Sequence, residues 1–316
     1  MFSKTFSLYA VLATATLSTV VASPTLAARG NSHRSGTRTL ADAADEYPQL
    51  LPLEEGNSRF RQSIAESDHP DLLWDLTVNG QHPEFLFLGC SDSRVSEGTI
   101  FSPPPGVFFT ERNIANQYGG EDLNAIAILA YGVTELRVGH IIVMGHYGCG
   151  GVQASILNKP DHLDRAGEAV QAWIGPIRTL YYNSTRDEIV KLREYRAANP
   201  DAGPPQFNDS GFRALVEENV KNTVWGISQD PIIYDHWQAF LAEQNNGTLK
   251  RASESSPPLK PVYIHGFVYD ISSGEIYDLN VSQGPPGWNA DWSKCKRNLI
   301  TAIRHGNTNP DDVEDC

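Results

Sequence analysis

The chain has 316 residues, 40% of them hydrophobic and 20% charged, an ordinary globular balance with enough apolar material for a sizeable core. Its formal charge of -13 argues against nucleic-acid binding, which needs a basic face. The same charge repels small anions at long range, so any anion site has to be built locally.

Lys4, an uncharged apolar stretch over 6–22, and small residues at Ala22, Ser23, Ala27 and Ala28 read as a secretory signal peptide. It occupies 1–27, with cleavage after Ala22 or Ala27. The alternative is a membrane anchor, because the run is as long as the shortest spanning helices. No other stretch is suited to a bilayer, so the cleaved chain is expected to have no membrane partner. Residues 28–50 are small, polar and partly basic (Arg29, His33, Arg34, Arg38) and read as a disordered arm or pro-segment.

The folded domain is expected over 51–282. Residues 84–89 (EFLFLG) form a short apolar run ending at Cys90, which predicts a buried strand. Residues 107–111 (VFFTE), after the turn Pro103-Pro104-Pro105-Gly106, predict a second. Over 122–136, Leu123, Ile126, Ala127, Ala130 and Val133 recur at helical spacing. Residues 140–145 (HIIVMG) predict a third strand, and 150–157 a helix. The stretch 166–244 reads as mostly helical, with Phe212, Leu215, Val216, Val220 and Val224 on one face and Pro231 suited to a first helical turn. Residues 262–270 and 275–281 read as two strands joined by Ser272-Ser273-Gly274. Strands alternating with helices imply an α/β fold: a mainly parallel central sheet flanked by helices, with an antiparallel edge strand. Residues 283–316 read as a C-terminal extension.

Two cysteines, Cys295 and Cys316, lie in the polar tail, and a disulfide between them is the expectation for a secreted chain. Sequons at Asn183, Asn208, Asn246 and Asn280 accord with a glycoprotein, with Asn280 the least accessible because it falls at a strand end.

The other two cysteines carry the chemistry. Cys90-Ser91-Asp92-Ser93-Arg94 ends the first strand, and His146-Tyr147-Gly148-Cys149 ends the third. Ligands of open parallel sheets bind beyond the carboxyl ends of the strands. Two thiols and an imidazole converging there are the ligand set of a catalytic zinc site with one position left open. Each residue alone has a plainer reading, since a buried Cys is usually a small hydrophobe.

These segments, with Arg112-Asn113-Ile114-Ala115-Asn116, Leu215-Val216-Glu217-Glu218-Asn219-Val220 and His265-Gly266-Phe267-Val268-Tyr269-Asp270, resemble the β-class carbonic anhydrases over about 55–281. The resemblance implies one Zn2+ per subunit on Cys90, His146 and Cys149. It further implies Asp92 and Arg94 as the catalytic pair, with Gln81, Phe109, Ile114, Tyr131 and Gly150 around the substrate. The implied reaction is reversible hydration of carbon dioxide to bicarbonate and a proton by zinc-held hydroxide. The implied assembly is a homodimer or a multiple of dimers. His140 reads as a strand-start residue and His265 as a core residue or a support of the site. Asp92 could instead close the metal as a fourth ligand when Arg94 releases it. The alternatives are a carbonyl sulfide or carbon disulfide hydrolase on the same scaffold, and a zinc-stabilised binding module without catalysis. The sequence departs from the family pattern in a long segment over 159–209.

Overall fold

A computed structural model of the chain describes residues 38–119, 121–246 and 258–287. The signal-peptide segment, residues 28–37 of the arm, and the Cys295–Cys316 pair lie outside the described residues. The chain divides into two compact units, residues 1–59 and 60–316.

The first unit contains α1 (Leu40–Glu46) and most of α2 (Leu51–Ala65), separated by a single 3-10 turn over Pro48–Leu50. The expectation of a disordered arm through residue 50 is therefore corrected over its last eleven residues. Composition hid a local signal, a capping box. The Thr39 hydroxyl accepts from the Asp42 amide at 3.2 Å, and the Asp42 carboxylate accepts from the Thr39 amide at 2.8 Å. Arg38 closes the same turn onto Glu46 at 2.6 Å.

The second unit is built on a five-stranded sheet of order β2-β1-β3-β4-β5. The strands are β1 (Phe85–Cys90), β2 (Phe108–Asn113), β3 (His140–His146), β4 (Tyr263–Tyr269) and β5 (Ile276–Asp278), with α3 (Leu72–Asn79) before β1, α4 (Glu97–Ile100) after it and α5 (Leu123–Ala130) after β2. The first four run parallel and β5 pairs antiparallel with β4, as expected. The tight turn between β4 and β5 closes through Gly274, whose amide donates to the Asp270 carbonyl at 2.8 Å. Gln283 still pairs with Ile264, so the fold runs slightly past the expected boundary at 282.

Alternation along the strands sends Leu86, Leu88, Cys90, Ile141, Val143, Ile264 and Val268 into one core. Helix α10 (Ser210–Ser228) lies on that face and contributes Phe212, Leu215, Val216, Val220, Val224 and Ile227. Their spacing is the apolar stripe seen in the sequence. The long segment after β3 is ordered as α6 (Gly150–Ile156), α7 (Arg165–Trp173), α8 (Gly175–Asn183) and α9 (Asp187–Ala198). The opposite face of the sheet carries Phe85, Phe108, Ile142 and Phe267, which line an apolar cavity of about 570 Å³ with Phe101 and Pro104. Among the described residues no helix is long and apolar enough to cross a membrane.

Asn280 lies exposed just past β5 with φ 54, so its strand end does not shelter it. β5 is an edge strand, which leaves the residues beyond it open.

Candidate metal centre

The strand order sets the place of the site. β1 leads to β2 on one side, and the chain then crosses back to β3 on the other. Such a reversal leaves a crevice beyond the carboxyl ends of the two central strands. Cys90 is the last residue of β1 and His146 the last of β3. The chain then turns through Gly148, at φ 75, and brings Cys149 to the start of α6. A side chain at 148 would be strained by that φ, and its Cβ would lie 2.9 Å from the Phe207 ring.

The ligand atoms of Cys90, His146 and Cys149 all lie within 4.8 Å of one another, and all three residues are buried. The two sulfurs are 3.9 Å apart. That is too far for a disulfide, whose sulfurs sit about 2.05 Å apart. It matches the roughly 3.8 Å spanned by two zinc–sulfur bonds of about 2.3 Å at the tetrahedral angle. His146 Nδ1 is 3.1 Å from the Tyr147 carbonyl. A carbonyl only accepts, so Nδ1 carries the proton and Nε2 keeps its lone pair. Nε2 is buried and has no hydrogen-bond partner. A buried imidazole lone pair with no partner, beside two thiols, is satisfied by a cation. The residues present therefore fit zinc.

Two thiols this close do not titrate independently. The contact with Cys149, helped by His146, holds Cys90 well below the usual thiol range. The same contact, with burial, raises Cys149. A divalent cation stabilises both as thiolates, and with a neutral imidazole the three ligands leave the centre without net charge.

Asp92 sits beside this cluster, held away from it by Arg94. The guanidinium donates from Nε to Oδ1 at 2.9 Å and from Nη2 to Oδ2 at 2.6 Å, and the Arg94 amide donates to Oδ1 at 2.9 Å. These bonds hold the Asp92 carboxyl far below the usual carboxylate range, against a smaller opposing effect of burial. Oδ2 is 3.8 Å from His146 Nε2, beyond a hydrogen bond. Arg112 fixes the backbone under both groups, donating to the Cys90 carbonyl at 2.9 Å and the Asp92 carbonyl at 2.7 Å.

Of the residues the resemblance places around substrate, two stand next to the cluster. Ile114 is 40% exposed and follows β2 directly, and a Cβ added to Gly151 would lie 2.7 Å from its side chain. Gly150 opens α6, is exposed, and has open space before it. The other three do not join the cluster of their own chain. Phe109 pairs in register with Leu86, four residues before Cys90 and so about 13 Å back along the strand. The Tyr131 ring packs on Phe109 at 5.8 Å. Gln81 lies exposed before β1 starts. Sequence position alone could not separate the two ends of the strands. His265 is likewise distant, four positions before Tyr269, which pairs with His146. It contacts His140, Nε2 to Nδ1, at 2.9 Å.

Sequence reading assigned no role to Arg112, Asn219 or Thr223. The last two had a visible signal: polar residues spaced by four on the apolar face of α10.

A parallel sheet with a buried Cys-His-Cys cluster at its reversal point and an ion-paired Asp beside it defines a metal-centred α/β enzyme class. The family described as carbonic anhydrase matches residues 85–242 of this chain. The carbonic anhydrase of Emericella nidulans is 31% identical over 262 residues, 81% of this chain and 96% of that protein. A solved tetrameric β-carbonic anhydrase of Sordaria macrospora is 26% identical, with a TM-score of 0.56 over 75% of this chain and 99% of that one. A β-carbonic anhydrase of Aspergillus fumigatus is 31% identical, with a TM-score of 0.53 over 74% and 92%. The chain belongs to the β-class carbonic anhydrase family.

Proposed function

We propose that the chain catalyses the reversible hydration of carbon dioxide to bicarbonate and a proton. The observation that carries this reading is the buried, unpartnered His146 Nε2 beside Cys90 and Cys149, with the Asp92 carboxylate 3.8 Å away. Cys90, His146 and Cys149 would hold one zinc, which as a Lewis acid makes water more acidic. Because the three ligands neutralise the metal charge, the chain's own groups matter more for forming the nucleophile. Asp92, kept ionised by Arg94, accepts a hydrogen bond from the attacking oxygen and orients its lone pair towards carbon dioxide. Ile114 gives that carbon dioxide an apolar wall, and the Gly150 backbone is free to approach its oxygens. Stopped-flow assay of carbon dioxide hydration on zinc-analysed protein tests the reading.

The aromatic wall is proposed to come from a second copy. Phe109, Tyr131 and Gln81 lie too far back along the strands to line the cluster of their own chain, and Tyr131 is 50% exposed. A homodimer or a multiple of dimers brings these residues to a partner's site.

We also propose that the protein is secreted as a glycoprotein, on the strength of the apolar N-terminal run and the exposed sequons at Asn183, Asn208 and Asn280. The tail cysteines Cys295 and Cys316 would then be joined. Deglycosidase treatment of secreted material and non-reducing peptide mapping test these points. An unchanged gel mobility, or two alkylatable tail thiols, contradicts them.

A further inference from the structure

Directly after β2 the backbone does something costly. Ala115 and Asn116 both take left-handed conformations, at φ 63 and φ 45, although neither is glycine and both are buried. Asn tolerates the left-handed region, but Ala115 is strained there, and such a turn persists only where its surroundings hold it. The Asn116 Nδ2 is also buried without a partner. The result of this conformation is specific: the Ala115 amide points at the Cys90 sulfur, 3.4 Å away.

The surroundings that hold it are side chains, with at least one donating to each carbonyl of the turn. Trp173 Nε1 donates to the Ile114 carbonyl at 2.8 Å. Asn219 Nδ2 donates to the Ala115 carbonyl at 2.8 Å, and Thr223 Oγ1 to the Asn116 carbonyl at 3.2 Å. Asn113 Nδ2 donates to the Gln117 carbonyl at 2.8 Å and takes the Gln117 amide on its Oδ1. Asn219 and Thr223 are buried on α10, on the stripe whose other members are apolar.

We infer that Asn219 and Thr223 are positioning residues for the metal ligand Cys90: they hold the 114–117 turn in its strained form so that the Ala115 amide donates to the Cys90 sulfur. This rests on the reading of Cys90 as a zinc ligand. A hydrogen bond from an amide withdraws charge from a thiolate, orients its lone pairs and fixes its place in the ligand set. Both side chains bind carbonyls of the turn, so their effect on Cys90 is transmitted through the turn.

The test uses full-length protein loaded with cobalt(II) in place of zinc. Wild type should take up one cobalt per chain with a sulfur-to-cobalt charge-transfer band; a wild type without that band sinks the metal reading itself, separately from this inference. Asn219→Ala and the near-isosteric Thr223→Val should move the band to longer wavelength, because the sulfur loses its hydrogen bond. Zinc affinity by chelator competition should fall about tenfold for Asn219→Ala and less for Thr223→Val. Adding Ala115→Gly to Asn219→Ala should move both readouts back, since glycine adopts this φ without strain. The inference is overturned if both variants fold with unchanged band and affinity. It is equally overturned if affinity falls with no band shift and no rescue by Ala115→Gly, the pattern of general loosening. Should Asn219→Ala not fold, Thr223→Val decides on the same band criterion.

Discussion

Arg94 occupies both carboxylate oxygens of Asp92, through parallel hydrogen bonds of 2.9 and 2.6 Å, while Oδ2 stays 3.8 Å from the Nε2 of His146. The pair is geometrically a latch. Released from Arg94, the Asp92 carboxylate is near enough to the cluster to become a fourth ligand and fill the open position.

Arg94→Ala should therefore lower carbon dioxide hydration by about 100-fold while leaving zinc content unchanged. Stopped-flow rates over a pH series, with metal analysis of the same samples, check this. Retention of most of the wild-type rate across the pH range contradicts the latch.

Cys90→Ser and His146→Ala should lose nearly all bound zinc, measured by elemental analysis after dialysis. The donor nearest the cluster, the Asp92 carboxylate, has both oxygens occupied by Arg94. Full occupancy in either variant overturns the ligand assignment.

His140 should make stability depend on pH well away from the metal. Burial first, then the nearby His265 and Lys260, lower its pKa from 6.5 to about 4. Between those values the unfolded chain binds a proton that the folded chain refuses. Stability should thus fall as pH drops from about 6.5 towards 4, by up to about 3 kcal/mol, and be insensitive to this group above and below that window. His265, lowered mainly by burial, adds in the same direction. Denaturation midpoints of His140→Gln against wild type should give a shallower pH dependence. Parallel curves reject the role.

Phe109→Ala should reduce kcat/KM by about tenfold with zinc retained, if the aromatic wall belongs to a partner's site. The native mass should be that of a dimer or a multiple. A monomer with full hydration activity contradicts the shared site.

Much of this was legible in the sequence, for physical reasons. Strands are short apolar runs bounded by Gly and Pro, so β1 to β4 fell within a residue or two of their expected places, and Cys90 and His146 were fixed at strand ends by the same pattern. The α10 stripe followed from periodicity, and the start of the helix Pro231–Asn246 from the fixed φ of proline. What stayed hidden depends on contacts distant in sequence or on one short turn. The helix over Leu40–Glu46 was hidden because composition outweighed the Thr39–Asp42 cap. The grip of Asn219 on Ala115, 104 residues away in the chain, leaves no local mark beyond an odd polar residue on an apolar face. The separation of Phe109 and Tyr131 from the cluster needs the strand register, which the sequence does not state.

The most direct test of the central claim is carbon dioxide hydration by the purified protein with its zinc content measured on the same sample. About one zinc per chain is expected, with hydration far above the buffer rate and loss of both in Cys90→Ser. Full zinc occupancy with no hydration at any pH would contradict it, and would leave the Cys90-His146-Cys149 cluster as a structural metal site.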